Sequence, residues 1–414
     1  MGCFPVGVEC RRRDCDTGLM SDLERIDQAI DELLAAHDPA SMSGEEFRGH
    51  QFDADLAIIN FPEGEGGMGL SPKLQQHIEK RLAAAGKDPD DPVTFFRHLA
   101  GPTIATHGSP EVRARFLRPM FTGEEKWCQL FSEPGAGSDF AGLAAKGLRD
   151  GDEWVVNGQK VWNTLAHLAD FGMLVVRTDP SLPKHKGMTY FAVDMRAEGV
   201  EVRPLRQITG EAEFNEVYMT DVRIPDAFRI GEVGEGWRAA LTTLMNERVS
   251  IGGNAPRRGG GSVGMLLAEW EKLSDEERTP LARDKVTRLW AKAEALRLTN
   301  IRASQNRKVG NPGPEGSVAK LMFAELNKEV YETSVDLLGM AGQIDYDYTF
   351  RRPETLDVSG TSTGSRYAFL RARANSIEGG TSEIMRNILG EQVLGLPGEP
   401  RVDKEIPWID VPRS

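Results

Sequence analysis

From Trp127 to Asp139 the chain reads W-C-Q-L-F-S-E-P-G-A-G-S-D, so an apolar run gives way to a turn of small residues. Backbone at Gly135, Gly137 and Ser138 carries little or no side chain, and a ligand can approach it closely. Further on, Trp154 to Thr164 reads W-V-V-N-G-Q-K-V-W-N-T. Asn157-Gly158 stands between two alternating runs and predicts a two-residue β-hairpin. That hairpin would bring Trp162 and Thr164 back beside the small-residue turn. A flat aromatic ligand with polar edges and a phosphate tail suits such a surface.

Other chemistries find little support. The seven His are scattered, with no i,i+4 pair. Cys10 and Cys15 have no matching ligand pair elsewhere, so no metal site is expected. No G-x-S-x-G nucleophile motif is present. Gly259-x-Gly261-x-x-Gly264 formally matches a dinucleotide fingerprint, but neither a preceding strand nor a βαβ unit is expected around it.

The elements that must position these residues follow from pattern. Ser21-Asp22-Leu23-Glu24 is a capping box, and Leu23, Ile26, Ile30, Leu33 and Leu34 then recur at helical spacing up to Asp38-Pro39. Phe61-Pro62-Glu63 with Gly64, Gly66, Gly67 and Gly69 is a loop. Helical patterns return from Leu74 to Phe121, with breaks expected at Pro92, Pro102 and Pro110. Near Trp127 the texture changes to short strands at Trp154–Val156, Lys160–Trp162, Met173–Thr178, Met188–Asp194, Val200–Pro204 and Glu216–Met219. They predict a β-barrel-like domain. Long helices are expected at 237–251, 281–308, 317–340 and 380–394. Leu266 to Thr279 reads as charged and loop-like. The expected domains are a disordered extension at 1–20, a helical domain at 21–126, a β-domain at 127–232, a helical bundle at 233–400 and a tail at 401–414.

The 414-residue chain is 40% hydrophobic and 27% charged, an ordinary globular composition. A net charge of −13 argues against nucleic acid or an anionic membrane as main partner. No apolar run approaches the roughly 18 residues of a membrane span. Arg11-Arg12-Arg13 is not followed by an apolar stretch, so the start is not a secretory signal, and a cytoplasmic location is the expectation.

Four segments in order resemble the acyl-CoA dehydrogenase family, over about Phe61 to Pro397. Glu133 to Asp139 resembles its flavin-side loop. Asn157 to Thr164 resembles the hairpin whose Trp and Thr lie against the isoalloxazine. Glu216 to Pro225, E-V-Y-M-T-D-V-R-I-P, resembles the strand ending its β-domain, and Ile377 to Ile384, I-E-G-G-T-S-E-I, its C-terminal active-site motif. The resemblance implies an α+β fold with an N-terminal helical domain, a central β-domain and a C-terminal helical bundle. It implies bound FAD, bordered by Gln129, Phe131, Ser132, Gly137, Trp162, Asn163, Thr164 and Thr381. Ser138 and Arg248 would lie at the CoA substrate, and the Gly379 N–H at the thioester oxygen.

The reaction it implies is α,β-dehydrogenation of an acyl thioester, in which a carboxylate removes the α-proton. That base needs an apolar, closed site. In the family's common pattern the Glu stands two residues before the Thr of the C-terminal motif. Here that place holds Gly379, and Glu378 is one position off. Isovaleryl-CoA and long-chain acyl-CoA dehydrogenases instead carry the base on the first long helix of the C-terminal domain, before an Arg. Leu244-Met245-Asn246-Glu247-Arg248 matches that pattern. Glu247 shares a helical face with Leu244 and Ala240, and the small Gly379 would leave space for its side chain. Glu247 is therefore the expected base, with Glu378 the alternative.

One family segment is missing. Arg-x-x-Phe-Gly, which reaches the neighbouring subunit's flavin, is not found between Asn254 and Leu281. Arg257-Arg258-Gly259-Gly260-Gly261 stands there instead. The implied partners are acyl-CoA, an electron-transfer flavoprotein as acceptor, and other subunits in a homodimer, homotetramer or mixed tetramer. Two other functions stay open: a non-catalytic or partner-dependent subunit, and an oxidase-like flavoenzyme that uses oxygen.

Overall fold

The computed structural model describes residues 21–87, 94–252, 255–308, 313–344, 347–355 and 364–412, without the side chains of 94–96, 248–252 and 307–308. The extension expected at 1–20 lies outside the described residues, as does the break expected at Pro92. The chain divides into two compact units, Met1–Asp88 and Pro89–Ser414.

In the first unit α1 (Asp22–Ala36), α2 (Gly44–Asp53) and α3 (Gln75–Ala84) enclose Ile26, Ile30, Phe47, Leu56, Ile78 and Leu82. The capping box forms in both directions. Ser21 Oγ accepts from the Glu24 N–H at 3.3 Å, and the Ser21 N–H donates to Glu24 Oε2 at 2.7 Å.

The second unit begins with α4 (Thr94–His107) and α5 (Pro110–Thr122). Pro110 occupies the first turn of α5, where a missing N–H costs nothing, and Ser109 caps the helix. Pro102 does not end α4, contrary to expectation; the helix runs through it. Next to it, the Thr103 hydroxyl donates to the Leu99 carbonyl one turn back at 2.9 Å.

Eight strands follow among the described residues: β1 (Trp127–Leu130), β2 (Lys146–Asp150), β3 (Glu153–Thr164), β4 (Phe171–Arg177), β5 (Met188–Asp194), β6 (Val200–Leu205), β7 (Phe214–Pro225) and β8 (Arg229–Ile230). Their order is β6-β7-β3-β2-β4-β5-β8, with β1 parallel to β4. The β2–β4 link is a single parallel pair, Lys146 with Arg177. The sheet is therefore two halves joined at a narrow seam. Inward residues of both halves, among them Cys128, Trp154, Val156, Leu174, Val176, Phe191, Val217 and Val222, make one core, which gives the barrel-like character.

Asn157-Gly158 is not a hairpin turn. β3 runs unbroken through it, and the reversal lies at Gly151-Asp152. Gly158 instead marks a β-bulge against β7. A Cβ there would stand 2.7 Å from Ala145 Cα, so close backbone approach explains the glycine. The local Asn-Gly signal was real, but long-range pairing with β7 overrode it.

The helical part comprises α6 (Gly236–Gly252), α7 (Ser262–Lys272), α8 (Pro280–Lys308), α9 (Glu315–Leu337), α10 (Ser365–Arg371) and α11 (Ser382–Asn387). Leu266–Lys272, expected as loop, belongs to α7, because Val263 and Leu266 pack into the bundle core with Val286, Leu289, Val330 and Tyr331. The expected helix at 380–394 is shorter: α11 passes into a π-helical turn, Ile388–Val393. The architecture is α+β, as the sequence implied.

Gly158→Ala is expected to cost about 1–3 kcal/mol by overpacking against Ala145. The urea midpoint of the variant, measured beside wild type, checks this; an unchanged midpoint would refute the close-packing account.

Candidate active site

The site begins where β3 meets the segment after β1. The Val161 N–H donates to the Ser132 carbonyl at 2.8 Å, so the end of β3 lies beside the Glu133–Asp139 loop. Glu133 and Ala136 exchange two backbone hydrogen bonds at 3.0 Å, closing a tight turn around Pro134-Gly135. A Cβ at Gly135 or Gly137 would meet nothing within 4 Å. Ser138 is exposed. The small residues thus border open space, as a ligand-facing loop requires.

Trp162 projects beside this loop, 56% exposed and with φ of 62°. A bulky residue adopts that conformation only where its surroundings impose it. Its ring meets Phe214 edge to face, with centroids 5.7 Å apart. Thr164, two residues on, is half-buried. Asn163 points the other way. It is 1% exposed, and its amide donates to the Gln129 carbonyl at 2.8 Å, tying β3 to β1. Phe131 is also turned inward, stacked on Phe140 at 4.9 Å, so only its backbone remains for a ligand.

A buried ion pair holds the arrangement. Lys160, fully buried, donates to Glu133 Oε1 at 2.8 Å, the Val175 carbonyl at 2.8 Å and the Phe131 carbonyl at 3.1 Å. All three ammonium protons are used. Glu133 also accepts from the N–H groups of Ala144 at 2.6 Å and Ala145 at 3.0 Å. Burial pushes the Lys160 pKa down, and the Glu133 charge opposes that shift. This pair was not singled out from sequence. The available signal was a lysine at an inward position of a strand, sharing alternation with Trp154 and Val156.

Glu247 lies on α6, which is pinned at its middle. Thr243 Oγ1 is 2.8 Å from Thr103 Oγ1 of α4 and 3.1 Å from the Tyr190 hydroxyl of β5. One turn further along, Glu247 is half-buried, and the Gln129 amide donates to its Oε2 at 3.4 Å. Gln129 therefore connects Glu247 to Asn163, the neighbour of Trp162. The side chain of Arg248 lies outside the described residues.

Glu378 is engaged elsewhere. Its carboxylate accepts from Arg371 at 3.0 and 3.2 Å and from the Asn375 amide at 2.7 Å. Arg371 also lies 3.0 Å from Glu213, in contact as an ion pair but not aligned as a hydrogen bond. The buried Lys320 holds the same loop from α9, donating to the Asn375 and Gly380 carbonyls at 2.9 and 2.5 Å. Burial pushes the Lys320 pKa down, while the charges of Glu378 and Glu247 pull it up. Gly379 and Gly380 have φ of 61° and 95°, which suits glycine far better than other residues. The Thr381 hydroxyl caps α11, accepting from the Ile384 N–H at 3.1 Å.

These residues fit a flat cofactor such as FAD. The loop borders open space beside Gly135 and Gly137, and the Trp162 side chain stands exposed. Among the described residues, no cluster of side chains could hold a metal ion.

Residues 128–222 match the model of the acyl-CoA dehydrogenase middle domain, and residues 234–394 that of its C-terminal domain. The chain is similar to acyl-CoA dehydrogenase FadE34 of Mycobacterium tuberculosis, 40% identical over 80% of this chain but only 43% of FadE34. It is 36% identical to acyl-CoA dehydrogenase IpdE1 of the same organism, over 84% of this chain and 86% of IpdE1. Among solved structures, the ChsE4-ChsE5 complex from M. tuberculosis shares 28% identity over 93% of this chain and all of that one, with a TM-score of 0.67. The Tcur3481-Tcur3483 steroid ACAD shares 26% over 91% and 98%, also with a TM-score of 0.67.

Lys160→Met is expected to cost about 3–5 kcal/mol, because it leaves Glu133 buried without its cation. Lys160→Met combined with Glu133→Gln should cost less than the single change. Urea denaturation of both variants checks the order; an equal or larger cost for the double variant would refute the pair's role.

Proposed function

The chain belongs to the acyl-CoA dehydrogenase family, and on that premise we propose that it removes the α-proton of an acyl-CoA thioester through Glu247 and yields the trans-2-enoyl-CoA. The observation that carries this reading is the chain Glu247–Gln129–Asn163, which brings the carboxylate of α6 to the strand bearing Trp162. FAD, the cofactor of the family, supplies the hydride acceptor when bound. The protein's own part is to orient and to move the proton. Trp162, Thr164 and the backbone of Phe131 and Ser132 would hold the flavin ring, with Thr381 reaching it from the bundle. Gly137 would border the flavin, Ser138 would lie along the CoA arm, and Arg248 would supply a cation for it. The Gly379 N–H would donate to the thioester oxygen, where enolate charge develops. Glu378 is the weaker candidate for base, because Arg371 and Asn375 occupy its carboxylate.

For the acyl group, a bulky ring-bearing substrate such as a steroid-derived acyl-CoA is the class favoured. Its support is the steroid ACAD among the similar structures. A base on α6 and a small residue at Gly379 are compatible with that bulk. An electron-transfer flavoprotein is the acceptor we propose, in the cytoplasm; no helix of the described residues is long and apolar enough to cross a membrane. A second reading is favoured by one specific likeness. The ChsE4-ChsE5 structure is a complex, and this chain lacks the Arg-x-x-Phe-Gly segment, so it would act in a mixed tetramer with a partner chain.

The visible spectrum of the purified chain, followed under nitrogen through a panel of acyl-CoAs, tests the reading. Wild type should be yellow and bleach with at least one of them. Glu247→Gln should keep its flavin and slow bleaching by about 10²–10⁴-fold, the usual worth of a general base. Bleaching at the wild-type rate would remove Glu247 from its role. A colourless wild type that gains flavin on co-expression with a mate would favour the mixed tetramer.

A further inference from the structure

The last described residues return to the β-domain of the same unit, beyond the stretch matched by the C-terminal family model at 234–394. Trp408 is buried, 9% exposed. Its backbone N–H donates to the Leu182 carbonyl at 2.8 Å, and that of Ile409 to the Pro180 carbonyl at 3.0 Å. Pro407 forms a bridge with Pro183. The Trp408 ring lies 4.9 Å from the Arg177 guanidinium, and its Nε1 donates to the Gly142 carbonyl at 3.4 Å.

Arg177 is the centre of this contact. It is 2% exposed and donates to the carbonyls of Ala141 at 2.6 Å, Lys184 at 2.9 Å and Lys186 at 3.0 Å. One cation thus gathers two loops, 139–143 and 184–186, and Trp408 covers its face. A second tie lies beside it. Lys184 Nζ donates to both Asp139 oxygens, at 2.9 and 3.1 Å, and to Asp403 at 2.5 Å. Asp139 closes the Gly135–Asp139 segment. That segment is therefore anchored at Glu133 by Lys160, and at Asp139 by Lys184 and the C-terminal segment.

We propose that residues 403–410 form a strap that fixes the far end of the Gly135–Asp139 loop, with Trp408 and Asp403 as positioning residues for ligand binding. The two ties are of different chemistry, a ring over a buried guanidinium and a carboxylate on a shared ammonium, and both end on the same loop. Neither residue touches the proposed reacting atoms. Loosening the strap leaves Glu247, Gln129 and the Gly379 turn in place and lets the loop move. The effect falls on affinity for acyl-CoA and FAD, and turnover of the saturated enzyme stays close to that of wild type. The functional half of this inference rests on the reading of the loop as ligand-facing; the mechanical half does not.

Hydrogen exchange and steady-state kinetics on full-length wild type, Trp408→Ala, Trp408→Phe and Asp403→Asn separate the two halves. Trp408→Ala should speed exchange in 135–143 and 180–186, and raise KM for acyl-CoA, each by about tenfold, roughly the loss of one desolvated cation–π contact. Exchange in α6 and α9 and the value of kcat should stay near wild type. Asp403→Asn should act in the same direction. Trp408→Phe should recover most of the effect, since a ring still covers Arg177. Unchanged exchange in 135–143, or faster exchange spread equally over α6 and α9, would overturn the strap. Faster local exchange with unchanged KM would overturn its role in binding. If wild type turns over no acyl-CoA, the proposed reaction fails by itself, and the exchange data alone decide the strap.

Discussion

The β-domain side of the site hangs on one buried ammonium. Lys160 is withdrawn from water at a cost that only complete pairing offsets, and the pairing it finds is complete: one carboxylate and two carbonyls. The acceptors belong to two stretches of chain, one holding Phe131 and Glu133 and the other Val175. Satisfying the charge therefore forces β3, β4 and the loop after β1 together. The Glu133–Asp139 loop then inherits its shape. Its small residues stay clear of packing because the polar work is done beneath them.

A second charged network does the same for the C-terminal turn. Arg371 lies between Glu213 and Glu378, and Lys320 and Asn327 reach in from α9 to Asn375 and Gly380. A motif that looks catalytic from its letters is thus largely occupied in holding a turn of two left-handed glycines. Glu247 differs in kind. Its helix is pinned by hydroxyl contacts at Thr243, the Gln129 amide donates to its carboxylate, and its charge also reaches the buried Lys320.

How much of this was readable beforehand follows from the range of the interactions. Ser21 and Glu24 are three residues apart, and their capping box forms as read. The long helices at 237–251 and 281–308 were visible from local patterning, and the α+β order of elements from the change in texture. The open space beside Gly135 and Gly137 was legible because a run of small residues leaves a local mark. Asn157-Gly158 was misread because its partner, β7, lies some sixty residues away. Leu266 to Lys272 was misread because charged residues on one helical face hid an apolar stripe that packs on α8 and α9. The pairs Lys160–Glu133, Lys320–Gly380 and Arg371–Glu213 join residues distant in sequence, and no spacing rule announces them.

The seam between the two half-sheets has a mechanical consequence. Strand pairing crosses it at one pair of residues, Lys146 and Arg177, and one further backbone bond runs from the Val161 N–H to the Ser132 carbonyl beyond β1. The nearby Lys160 crosses it with a side chain, from β3 to the Val175 carbonyl of β4. The halves are therefore joined largely by side chains, Lys160 to β4 and Asn163 to β1, where a ladder of fixed pitch is missing. A ladder can only be altered in whole steps, by register. A side-chain tie can be lengthened or shortened by substitution, so the spacing of the two halves can shift without any change of register.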